Sequence, residues 1–189
     1  MKTFLLCFIP LFVAMDIAGN TPIFLSLTEG LERSQRKKII WQACWTALIV
    51  SILFILLGKT LFVFLNITPG DFKIAGGLIL LFIAVTGILP IGTSERLEGV
   101  GIVPLGVPLI MGPAALTTLL MQVDIHKVWW IAASLVANIA ITFVIFLYSW
   151  QISRVFGVNG MKATSKIVHL FLAAIAIMMI RVGLKELGF

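Results

Sequence analysis

Charge is scarce in this sequence. Asp, Glu, Lys and Arg make up 12% of its 189 residues, where a soluble domain carries about 25%. The two cysteines, Cys7 and Cys44, are too few for a disulfide framework. They open different apolar runs from opposite sides, so a thiol relay is not expected. Histidine occurs twice. No His/Cys ligand spacing and no carboxylate pair falls within the apolar runs, so neither a metal cluster nor a catalytic dyad is expected, and no enzyme. No basic patch interleaved with aromatics is present, which argues against a nucleic-acid partner. No A-x-A-like cleavage site closes the first apolar run, and the N-terminus is read as part of a first span. Linkers and low-complexity stretches are also missing, so residues 1–189 form one transmembrane domain.

What is present is apolar: 60% of residues are hydrophobic and mean hydropathy is +1.13. A helix crosses a bilayer with about 20 mostly apolar residues. Six runs qualify: Thr3 to Thr28, Ile39 to Gly58, Ile74 to Ser94, Gly99 to Val123, Val128 to Ser153 and Ile167 to Leu187. Leu61 to Leu65 finishes the second helix or lies at the interface. Asn66-Ile-Thr-Pro69-Gly70 reads as a turn, and Gly157-Val-Asn-Gly160 as part of a loop. Trp129 and Trp130 at one end of the fifth run, with Tyr148 and Trp150 at the other, fit the two headgroup belts. The fold class is an all-α membrane protein in a lipid bilayer. Eight of the fourteen Lys and Arg residues fall on the side of loops one, three and five, led by Arg33, Arg36, Lys37 and Lys38 in loop one. Basic residues concentrate in cytoplasmic loops, which puts both termini outside the cytoplasm.

Two runs are interrupted. The first contains Asp16-Ile-Ala-Gly19-Asn20-Thr21-Pro22. The fourth contains Gly112-Pro113-Ala114, preceded by Pro104 and Pro108. Gly and Pro break helices, and broken backbone at membrane depth survives only inside protein or beside a water-filled cavity. A shift of 93 residues pairs Gly19 with Gly112, Asn66 with Asn159, and Lys73 with Lys166. The halves, about 3–94 and 99–187, hold three spans each, so the second enters the membrane inverted. The architecture expected is six transmembrane helices as two inverted three-helix repeats, with helices 1 and 4 broken. That pattern points to a transporter site near the midplane.

Each break has a chemistry. Pro22 reads as the first residue of a new half-helix capped by Asn20 or Thr21, and Pro113 plays the same part after Gly112. Helix N-termini offer N–H groups to an anion, and the preceding half-helices offer carbonyls to an ammonium group or Na⁺. Asp16 adds a negative charge, and Thr117 and Thr118 add hydroxyls. The set Asp16, Gly19, Asn20, Thr21, Pro22, Gly112, Pro113, Ala114 and Thr117 therefore matches a small zwitterion. Asp16 has other readings: carrier of a coupling proton, cap of the broken helix, or partner of Arg181 or His169. Gly76-Gly77 reads as close helix packing, Asn138 as an interhelical hydrogen bond, and His169 as an interfacial histidine.

The runs Asp16-Ile-Ala-Gly19-Asn20-Thr-Pro22-Ile-Phe24, Phe72-Lys-Ile-Ala75-Gly76-Gly77-Leu78 and Pro104-Leu-Gly-Val-Pro108-Leu-Ile-Met-Gly112-Pro113-Ala114 resemble the MarC family, also called UPF0056, over almost the whole chain. The resemblance implies six spans in a prokaryotic inner membrane. Through the SnatA branch it implies transport of small neutral amino acids, coupled to an ion such as Na⁺ or H⁺, with no other cofactor. The three-plus-three layout is shared with LysE-type exporters. The chain departs from the family pattern at Ile17, where Pro is usual, at Ala114, where Gly is usual, and at His169, where Gly is frequent. These changes alter backbone freedom and pocket size. The function expected is a secondary transporter of a small zwitterionic solute, with neutral amino acids as the substrate class. An exporter or channel for another solute or ion is the first alternative, and a non-transporting membrane scaffold the second. Homo-oligomerisation is left open.

Overall fold

The structure, a computed structural model, describes residues 2–88 and 101–188; the side chains of residues 87, 101, 102, 124, 150 and 152–165 fall outside the description. The expected loop around Glu95, Arg96 and Glu98 lies outside the described residues. The described backbone is helical, in the order α1 (Lys2–Met15), α2 (Ile17–Leu27), α3 (Arg33–Leu65), α4 (Pro69–Ile88), an irregular segment Gly101–Ile110, α5 (Pro113–Ile125) and α6 (Val128–Glu186). Five helices are long and apolar enough to cross a membrane, or six if the bent pair Val103–Ile110 and Pro113–Val123 counts as one span.

The first charged loop is shorter than its sequence indicates. Arg33, Arg36, Lys37 and Lys38 lie in the opening turns of α3, not in the loop. Gln35 Oε1 accepts from the Glu32 backbone N–H and starts this helix early. At the other end α3 runs unbroken through Leu61–Leu65 to an Asn66 cap with φ 53°. Asn tolerates that left-handed conformation because its short polar side chain bonds locally. Such a helix measures about 50 Å, well beyond the ~30 Å hydrocarbon core, so its ends reach the headgroups. The turn at 66–70 forms as expected. Thr68 and Asp71 then cap α4 reciprocally: Asp71 N–H donates to Thr68 Oγ1 at 3.2 Å, and Thr68 N–H to Asp71 Oδ2 at 2.8 Å.

Helical backbone is assigned along the whole of Val128–Glu186. A straight helix would hold Phe146 and His169 about 34 Å apart. Yet Phe146 stacks on Phe24 with centroids 4.5 Å apart, and His169 Nδ1 lies 3.3 Å from Ser26 Oγ. The run therefore folds back between them, and Val128–Ser149 and Lys166–Glu186 are separate candidate spans. The loop expected at Gly157–Gly160 falls in this fold-back, where the backbone is helical.

Packing depends on small residues, as it must where lipid is as apolar as leucine. A Cβ on Gly183 would stand 2.6 Å from Gly70 O, and one on Gly77 would stand 2.8 Å from Ala176 O. These glycines let α4 and the last part of α6 touch backbone to backbone. A Lys73–Glu186 ion pair closes the end of the seam. Gly76 plays a related part, its missing Cβ leaving room for Pro113 and Met179.

Candidate functional site: where the two broken spans cross

The first break falls at Asp16, three residues before Gly19. Asp16 adopts φ 43° and ψ 54°, which ends α1 and starts α2. One carboxylate oxygen, Oδ1, accepts from the Gly19 backbone N–H at 3.1 Å, capping α2. Gly19 makes that fold-back possible, since a Cβ there would stand 2.4 Å from Asp16 Oδ2. Gly19, Asn20, Thr21 and Pro22 all lie inside α2. This corrects the reading of Pro22 as first residue of a half-helix capped by Asn20 or Thr21. Proline removes one N–H and crowds the carbonyl four residues back, which α2 absorbs, whereas an αL residue reverses the sign of φ, so Asp16 makes the turn. Thr21 spends its hydroxyl proton on Ile17 O at 2.7 Å.

The second break is longer. Val103 and Val107 are extended, with φ −126° and −137°. Each precedes a proline, and crowding against the proline ring disfavours the helical region for the residue before it. The segment is buried from Pro104 to Gly106 and again from Pro108 to Met111, the condition irregular backbone needs at membrane depth. Gly106 lets it approach α3, where a Cβ would meet Thr46 Cβ at 2.7 Å. At the far side Gly112 is the N-cap of α5 and Pro113 its first residue, as expected. A Cβ on Gly112 would be 2.5 Å from Pro108 O. The two arms of this span meet at 51°.

Asn20 joins the two breaks. Its Nδ2 donates to Met15 O at 2.8 Å and to Leu109 O at 3.0 Å. Both acceptors lie at the ends of broken arms, where helical partners run out. Asn20 is 7% exposed, so the crossing is desolvated. The carbonyls that the sequence reserved for an ammonium group or Na⁺ are therefore occupied by a side-chain amide. Thr117 Oγ1 donates to Pro113 O at 2.8 Å, and Thr118 Oγ1 to Ala114 O at 2.8 Å, leaving only their lone pairs for a ligand. Ala114 is exposed and Pro113 buried beside Gly76. Asp16 is exposed, and it forms no ion pair among the described residues. Its predicted role as helix cap is realised; Arg181 and His169 are not its partners, and His169 instead meets Ser26 as a buried residue.

Two amides bond the backbone of α1 at Cys7 and Phe8. Gln122 Nε2 donates to Cys7 O at 2.9 Å, and Asn138 Nδ2 donates to Phe8 O at 3.3 Å. They tie α5 and α6 to α1 in the turn before Pro10. Asn138 was expected to bond between helices, and it does. Gln122 was missed because it stands near the end of its run, where a polar residue reads as interfacial. The amide oxygens of both are buried without a partner among the described residues.

The family model for "MarC family integral membrane protein" matches residues 1–187. A "UPF0056 membrane protein" of Buchnera aphidicola subsp. Baizongia pistaciae (strain Bp) is 34% identical over 195 residues, covering 98% of each chain. The "UPF0056 inner membrane protein YhgN" of Escherichia coli (strain K12) is 32% identical over 182 residues, covering 93% of this chain and 92% of that one. The "UPF0056 membrane protein YvbG" of Bacillus subtilis (strain 168) is 31% identical over 194 residues, covering 94% and 92%. No solved structure matches the chain.

Proposed function

The chain belongs to the MarC family of integral membrane proteins, and from that premise we propose that it is a secondary transporter of a small zwitterionic solute, with neutral amino acids as the substrate class, and not an enzyme. The observation that carries this reading is Asn20 bridging Met15 O and Leu109 O. Two interrupted spans that meet at a buried hydrogen-bonded crossing are what a midplane transport site is built from. A substrate ammonium group has the same donor chemistry as the Asn20 amide and competes for the same two carbonyls. The first residues of α5 present N–H groups to the substrate carboxylate. Asp16, exposed beside the crossing, supplies the negative charge that an ammonium group, a proton or Na⁺ would meet. In this reading the two halves are inverted repeats, the membrane is the inner membrane named for the Escherichia coli relative, and both termini face away from the cytoplasm.

The test is flux in proteoliposomes. Labelled glycine and alanine are expected to accumulate when a proton or Na⁺ gradient is imposed, and unlabelled neutral amino acids to compete. Equal flux with and without a gradient would make the protein a channel. No flux, together with no thermal shift from any amino acid or ion, would leave only a scaffold.

A further inference from the structure

A second cavity lies toward the end of α2, beyond Asn20. A cleft of about 770 Å³ opens between the end of α2, the start of α3 and the section of α6 around Phe146. It is bordered by the ends of three candidate spans, Lys2–Leu27, Arg33–Leu65 and Val128–Ser149, which puts it at headgroup depth. Arg33, Arg36 and Lys37 line it, against one carboxylate, Glu32. Glu32 is already engaged, its Oε2 accepting from Ser34 Oγ at 3.4 Å. The deeper wall is apolar, formed by Phe24, Ile40 and Phe146.

The basic group stands where positive charge is unfavourable. All these cations lie at the N-terminus of α3, whose first turn holds no acid beyond the N-cap Glu32. The helix dipole presents positive charge there, so each cation opposes it. Arg36, 7% exposed, brings its charge into the cleft rather than out to the surface. An anion in the cleft offsets the crowding of positive charge. Arg binds phosphate oxygens in a planar fork, and Lys adds a point charge.

We propose that this cleft binds an anionic phospholipid, its phosphodiester held by Arg33, Arg36 and Lys37 and its first acyl carbons laid against Phe24, Ile40 and Phe146. Basic pockets between membrane helices take such headgroups. The apolar wall favours a lipid over free phosphate, whose hydration shell gains nothing from phenyl rings. The site is independent of what the transporter carries.

The experiment uses the full-length protein in detergent after delipidation. Short-chain phosphatidylglycerol, phosphatidylcholine of the same chain length and inorganic phosphate are compared by thermal shift. Native mass spectrometry counts the bound lipid. Phosphatidylglycerol should raise Tm and remain bound, while the other two should do neither at equal concentration. A basic residue near a membrane surface contributes about fivefold to anionic-lipid affinity. Arg33→Gln with Lys37→Gln, both at exposed positions, should therefore weaken phosphatidylglycerol binding about 25-fold. Lys38→Gln removes a neighbouring charge that does not line the cleft and should leave binding within a factor of two or so of the parent. Equal binding of phosphatidylcholine overturns the proposal, as does a full shift from phosphate alone. So does a Lys38→Gln loss as large as that of the double variant. Phosphatidylglycerol retained by the unaltered protein in native mass spectra is expected even if the double variant does not fold, and its absence there counts against the site.

Discussion

The two broken spans meet the same requirement by different means. At Asp16 the chain turns through a single left-handed residue, and side chains satisfy the exposed backbone: the Asp16 carboxylate takes the Gly19 N–H and the Asn20 amide takes Met15 O. From Val103 to Gly112 there is no side-chain cap on α5, and the backbone is shaped by two prolines and two closely packed glycines. One break is made of hydrogen bonds and the other of steric exclusion. Only the first carries a charge. The comparison teaches that the polar break is the adjustable one, since hydrogen bonds can be exchanged for ligand contacts and a missing Cβ cannot.

The largest expected effect comes from the residue that serves both breaks. Asn20→Ala removes the donor to two buried carbonyls, each worth about 1–2 kcal/mol in a membrane setting. A loss of roughly 2–4 kcal/mol, read as a fall in Tm of the purified protein, is expected. A stability unchanged by Asn20→Ala would mean that other contacts hold the two breaks together. Next is Gly112→Ala. Its Cβ would meet Pro108 O at 2.5 Å, and backbone cannot yield as a flexible side chain can. The cost is about 1–3 kcal/mol. The nearest atoms to a Cβ in Gly19→Ala belong to the Asp16 carboxylate, so it should cost about 1 kcal/mol, the value of the cap it displaces. If the order of these two glycine variants were reversed, the distinction between a steric and a hydrogen-bonded break would fail.

The steric break was the more legible of the two in sequence. Gly112-Pro113 inside an apolar run reads as a helix start, because Pro at the first helical position loses nothing. The extended residues before Pro104 and Pro108 follow from a local clash that needs no tertiary context. The polar break was legible in existence but not in position. Gly19 and Pro22 drew attention, yet α2 absorbs both, and the turn is made at Asp16. Asp is a preferred N-cap residue, and capping was one of the readings open for Asp16. What no local signal could give is the Asn20–Leu109 hydrogen bond, which joins residues 89 positions apart. The reversal within Val128–Glu186 was legible from hydropathy, while its helical backbone was not. The basic run after Leu31 read as a loop because charge density masks helix signals; only the Glu32–Gln35 capping contact identifies it as the start of α3.

The smallest structural effect belongs to the variant that separates charge from capping. Asn is as good an N-cap as Asp and enters the left-handed region as readily, so Asp16→Asn should keep the turn and the contact to Gly19 N–H. Stability within about 0.5 kcal/mol of the parent is expected, measured by thermal unfolding. If Asp16 serves only as a cap, amino-acid flux in proteoliposomes is then unchanged at every pH. If its charge meets the substrate ammonium group or a coupling ion, accumulation is lost in a protein that remains folded. Asp16→Ala separates the effects from the other side: it removes cap and charge together and should lower stability by about 1 kcal/mol while abolishing the same flux. Full flux through both variants would place the exposed carboxylate outside the transport path and leave Asn20 as the polar group on which the crossing depends.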